Sequence, residues 1–191
     1  MSKKAAASFA EYGIIAERDK DVYAYCFELL FATLFNLFAV VAVSAVSKTL
    51  RETTLYLLAF IPLRQVAGGY HAKNHSRCFV ILMGVYGAFL LLLGNLGLWH
   101  MRVVIWICLP LSGLAIFILA PIDDPNKPIS HEEKIMFGKR SRASVAIYAS
   151  LAILLYFTLP GLVWSFAVVY GMMSVALSLC AKALTQAIGK R

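Results

Sequence analysis

Charge is what this sequence has least of. Only 15% of its 191 residues are charged, where a soluble domain carries about 25%. Apolar residues make up 61%, and mean hydropathy is +0.76. So little polar surface excludes an ordinary water-soluble globule. Four cysteines, Cys26, Cys78, Cys108 and Cys180, are too dispersed for a disulfide framework, and no CxxC pair signals a zinc ribbon. Acidic residues number 10 against 18 basic, leaving a net charge of +8. The basic residues fall between apolar stretches and do not interleave with aromatics, so a nucleic-acid partner is excluded. The opening MSKKAAASFAEYG lacks the apolar core of a cleavable signal, so no processing is expected there. No internal repeat or low-complexity tract stands out.

What is present is a series of apolar spans. Residues 23–47, 78–99, 103–120, 143–159 and 161–184 contain almost no charge, and each approaches the roughly 20 residues a helix needs to cross the bilayer core. A sixth segment, 53–69, is different. Its continuous apolar run is only Leu55 to Leu63, interrupted by Pro62 and followed by Arg64, Gln65 and Gly68-Gly69. A helix broken at membrane depth is tolerated only where protein or a water-filled cavity satisfies its backbone, so this segment implies a sheltered pocket. The expected fold is therefore all-α: a polytopic membrane helix bundle of about six transmembrane helices, one of them short and broken. The chain reads as a single membrane domain over 1–191. Residues 1–22 form an N-terminal interfacial segment that suits a short amphipathic helix on the membrane surface, a frayed tail being the alternative. Residues 121–142 form a polar cytoplasmic loop. Within that loop, Ser130 and Glu133 have the spacing of a capping box and predict a short helix ending near Gly138.

Lysine and arginine placement orients the bundle. With six crossings and an inner N-terminus, 15 of the 18 lie in inner segments, and only Lys48, Arg51 and Arg102 lie outside. Both termini are then cytoplasmic in a bacterial plasma membrane, and the 64–78 segment faces the cytoplasm.

That segment, RQVAGGYHAKNHSRC, brings a histidine and a cysteine together. A thiolate attacks carbonyls, and histidine is the usual base that generates it. Seven residues on a straight helix rise about 10.5 Å, too far for a direct contact. His71 therefore belongs in a loop and Cys78 in the first turn of the next span, capped by Ser76 or Asn74, where the positive helix end would favour a thiolate. Arg77 and Lys73 add positive potential. Taken singly, a cysteine at a span's start is usually packing, and a loop histidine is usually solvated. A zinc reading also stands, since His71, His75 and Cys78 at i, i+4 and i+7 share one helix face, although no carboxylate base lies close in sequence. Glu28 and Asn36 in the first span would be costly facing lipid and rank second as substrate contacts.

At these residues the chain resembles the AgrB family, the membrane peptidases of bacterial accessory gene regulator quorum-sensing systems. The resemblance rests on Arg64, the run Gly68-Gly69-Tyr70-His71-Ala72-Lys73, and Cys78, with PIDDPNKPI similar to the family's polar loop. It implies Cys78 as nucleophile and His71 as general base, with no metal and no cofactor. Arg64 and Gly69 occupy positions the family requires. Arg64 would hold a substrate carbonyl or carboxylate, and Gly69 would let the backbone turn closely. Gln65, Gly68, Lys73 and Asn74 are supporting or substrate-binding candidates, with Gln65, Asn74 and His75 able to orient His71. The implied partners are the lipid bilayer and an AgrD-like peptide precursor, whose acidic tail would be removed and whose remainder would close into a thiolactone. A homodimer is left open. The competing class is a small membrane transporter or channel whose Gly-Gly break lines a path.

Overall fold

In hydrocarbon every backbone N–H and C=O must find its partner inside the protein, and a helix does this within one segment. The computed structural model follows that rule. It describes residues 2–12, 14, 16–69, 75–122, 130–158 and 161–188. These form α1 (Ser2–Glu11), a 3-10 turn (Glu17–Asp19), α2 (Lys20–Val46), α3 (Leu50–Ala67), α4 (His75–Asn95), α5 (Leu98–Leu119), α6 (His131–Tyr156) and α7 (Gly161–Ile188). No strand occurs among the described residues. The protein is an all-α membrane bundle.

Four of the helices, α2 with its preceding turn, α4, α5 and α7, are long and apolar enough to cross a bilayer. The other two long helices, α3 and α6, stand where further crossings are expected but carry more polar ends: Arg51, Glu52, Arg64 and Gln65 on α3, and the charged first half of α6. The short N-terminal helix α1 forms and lies along α2, with the Phe9 and Phe27 rings 5.3 Å apart.

The core is organised around α7. Within its most apolar window, 61% is buried by protein, against 11% in α2 and in α4. It packs on α3, α5 and α6, whereas α2 and α4 turn most of their surface outward. Small residues let α7 approach α3 closely, as membrane helix interfaces require. A Cβ at Gly171 would lie 2.9 Å from the Tyr56 carbonyl oxygen and 3.0 Å from the Ala59 methyl. Aromatic rings fill the space between α3, α4 and α7: Tyr56 stacks on Phe89 at 5.1 Å, and Phe166 and Tyr170 join them. Two hydrogen bonds tie α4 into this cluster. The Tyr170 hydroxyl donates to the Val85 carbonyl at 2.9 Å, and Tyr86 bonds Thr53 at 2.8 Å.

Two local expectations change. The 53–69 segment does not break at Pro62, which sits inside a continuous α3. Proline in a helix interior costs about 3 kcal/mol, but Pro62 is on the exposed side while Leu63 and Ala67 are fully buried, so packing on the opposite face holds the helix through it. The interruption comes at Gly68. The capping box is present: Glu133 N–H donates to Ser130 Oγ at 3.2 Å, and Ser130 N–H donates to Glu133 Oε2 at 2.9 Å. The helix it opens does not stop near Gly138 but runs to Tyr156. Gly138 is buried with a helical neighbourhood on both sides, and a Cβ there would meet Pro121 at 3.5 Å. This glycine marks close packing and not a terminus.

Candidate active site

The site begins with the way α3 ends. Gly68 adopts φ 77°, ψ −150°, and Gly69 adopts φ 133°, conformations that residues with a Cβ rarely enter. The Gly68 N–H still donates back to the Arg64 carbonyl at 3.1 Å. Beyond that turn the chain runs against the end of α5. Gly68 forms an isolated parallel bridge with Ile122, and Ile122 N–H donates to the Ala67 carbonyl at 3.3 Å. The approach leaves no room for a side chain, because a Cβ on Gly68 would sit 2.9 Å from the Ile122 oxygen. The two polar connections of the sequence, after α3 and after α5, are thus joined at their first residues.

Arg64 lies one turn before the end of α3, and its side chain folds over that end. Its Nη1 donates to the Gly68 carbonyl at 3.1 Å and to the Ser178 hydroxyl of α7. A cation is favoured at a helix C-terminus, where carbonyls lack intrahelical partners. The guanidinium fills the volume that a side chain at position 69 would need. A Cβ on Gly69 would strike Nη1, lie 2.9 Å from Arg64 Cζ, and collide with Ser178 Oγ. Gly69 therefore serves as space for the arginine as well as a turn.

Cys78 is the fourth residue of α4, an exposed free thiol. The first four N–H groups of a helix have no intrahelical acceptors, so the cysteine stands at the positive end of α4. The turn that Arg64 closes and this cysteine lie at the two ends of one short connection, residues 68–74. The structure thus gathers Arg64, Gly68, Gly69 and Cys78 at one end of the bundle. Gln65 is exposed beside them. Ser76 lies within the first turn of α4 and is not its cap. His71, Lys73 and Asn74 fall outside the described residues, as does part of the His71, His75 and Cys78 metal set.

The basic first half of α6 borders the site, since Gly138 packs on Pro121, next to the Ile122 bridge. Lys134, Lys139 and Arg140 are exposed there, and Arg142 caps the Phe117 ring at 4.7 Å. Two participants were not foreseen from sequence, Ser178 and Ile122. Neither has a local signal: Ser178 is an ordinary serine in an apolar span, 114 residues from the arginine it meets.

This arrangement gathers an exposed thiol, a cationic hydrogen-bond donor and a basic surface at one end of the bundle. Known proteins are similar to much of this chain. The chain is 26% identical over 147 residues to putative AgrB-like protein 2 of Clostridium perfringens, covering 72% of this chain and 69% of that protein. Over 125 residues it is 28% identical to protein FsrB of Enterococcus faecalis, covering 64% of this chain and 51% of that protein. No solved structure gives a significant match. The family model described as accessory gene regulator B matches residues 2–183, taking in every element that builds the site, and the chain belongs to that family.

Proposed function

We propose that the chain is a membrane cysteine endopeptidase that cuts the tail from an AgrD-like peptide precursor and closes the remainder into a thiolactone. One observation carries the reading: the glycine turn over which Arg64 is fastened and the exposed Cys78 stand at the same end of the bundle, at the close of α3 and the opening of α4.

His71 takes the Cys78 proton, and the thiolate attacks the carbonyl that ends the future signal peptide. The Arg64 guanidinium donates to the oxygen as negative charge develops, the contribution that a fixed donor makes most strongly in the transition state. The C–N bond breaks, His71 returns the proton to the leaving amine, and the tail departs, leaving an acyl thioester on Cys78. The thiol of an internal cysteine in the bound peptide then attacks the same carbonyl. A new S–C bond forms as the old one breaks, the peptide thiol's proton passes by way of His71 to the departing Cys78 sulfur, and the ring is closed. Exchange between two thioesters is nearly balanced in energy, whereas hydrolysis runs downhill, so the peptide thiol must be held close and water kept away.

Charge supports a cytoplasmic site. The end of the bundle bearing Cys78 also bears the first half of α6 and the Lys182 end of α7, and this is the basic side that faces inward in a bacterial plasma membrane. An acidic tail is drawn to Arg77, Lys134, Lys139 and Arg140.

The test is tail release in proteoliposomes from a synthetic precursor with an amphipathic leader, an internal cysteine and an acidic tail. Cys78→Ala is expected to abolish release, and a precursor whose own cysteine is replaced by serine is expected to leave an acyl-enzyme detectable by mass. Release that persists in Cys78→Ala overturns the mechanism.

A further inference from the structure

Ser178 takes no part in the chemistry above, yet from the central helix its side chain holds Arg64. We propose that Ser178 is a positioning residue: from α7 it holds the Arg64 guanidinium over Gly69, turned toward the charge that develops beside Cys78. The inference rests on the peptidase reading.

Arginine has a long, flexible stem, and an unrestrained guanidinium would sample many placements at the end of α3. Among the described residues, the Gly68 carbonyl and the Ser178 hydroxyl both engage Nη1 and reduce that freedom. The Gly68 carbonyl belongs to the same helix end as Arg64 and moves with it. Ser178 belongs to a different element, and its neighbours Val175, Ala176 and Leu179 are buried in the core. A hydroxyl anchored on the most deeply packed helix fixes the guanidinium relative to the bundle and not merely to its own helix. Gly69 supplies the third wall, because a Cβ there would collide with the arginine and the serine together. The pair therefore occupies a slot made by backbone, glycine and core helix. A hydroxyl suits the role because it accepts from a cation without neutralising it, whereas a carboxylate would consume the positive charge that the oxyanion needs.

The full chain in proteoliposomes tests this with kcat and KM for tail release, alongside the thermal midpoint. Loss of the hydroxyl that holds the guanidinium for the transition state predicts a kcat about tenfold lower for Ser178→Ala with KM unchanged and, because the bond already exists in the resting protein, a small fall in the thermal midpoint. Ser178→Thr, which keeps the hydroxyl, is expected to recover most of that loss. In an Arg64→Lys background, Ser178→Ala is expected to add nothing, since the partner it positions is gone. Wild-type kcat in Ser178→Ala, or the same tenfold loss in the Arg64→Lys background, overturns the inference. Cleavage that survives Cys78→Ala instead removes the peptidase reading and this inference with it, so the two failures are distinguishable.

Discussion

Replacing Gly69 with alanine tests the site at its most constrained point. The perturbation is a single methyl group, but it enters a slot already filled. At φ 133° an L residue is strained, a cost of about 1–3 kcal/mol for a residue forced into such a region. The methyl would also strike Arg64 Nη1 and Ser178 Oγ. Backbone on one side and α7 on the other cannot yield as easily as a side chain, so the guanidinium is the part expected to move. Its removal from the site withdraws a donor to the oxyanion, worth about 10²–10³ in kcat. The two consequences differ in size and in readout. A stability loss of about 1–3 kcal/mol lowers the thermal midpoint modestly and leaves a folded bundle, while tail release falls by about two orders of magnitude or more. Measuring both on the same purified protein in detergent and then in proteoliposomes separates them. Wild-type turnover in Gly69→Ala would refute the reasoning, because it would mean that the arginine can be displaced without cost to the reaction.

Other substitutions probe the frame apart from the chemistry. Gly171→Ala places a methyl 2.9 Å from the Tyr56 oxygen and should push α3 from α7, costing about 1–3 kcal/mol in thermal or denaturant unfolding and lowering tail release because α3 carries Arg64. Ser130→Ala removes the cap of α6 and should cost about 1 kcal/mol, with kcat retained, since neither residue of the capping box has a part in the proposed reaction.

Much of this was legible in the residues, for identifiable reasons. The absence of charge over spans of about 20 residues can mean little but membrane helices, and the Ser130 to Glu133 spacing carries its own geometry. Arg64, Gly68 and Gly69 stood out because charge and paired glycines are rare in apolar surroundings, and Cys78 because a histidine lies close to it in sequence and the AgrB resemblance includes it. Other features depend on tertiary neighbours. Gly138 has the appearance of a helix stop, and only Pro121 beside it reveals a packing position. Pro62 looks like a break, but the buried opposite face of α3 carries the helix past it. Ser178 is the plainest case. A serine in a membrane helix commonly bonds the preceding turn, as Ser174 does to the Tyr170 carbonyl at 2.8 Å, so nothing in its own surroundings separates the serine that grips Arg64 from one that does not. The sequence also could not say why position 69 must be glycine, since the group that needs the space comes from five residues earlier and curls back over the helix end.

The uneven packing of the bundle divides the site between two kinds of support. Arg64 stands on α3, pressed against the buried central helix, while Cys78 stands at the start of α4, most of whose surface is turned outward. Local opening costs least where few apolar contacts must be surrendered. The proposed donor thus stands on the packed frame, while the proposed nucleophile stands on a helix whose displacement surrenders fewer contacts with the rest of the protein.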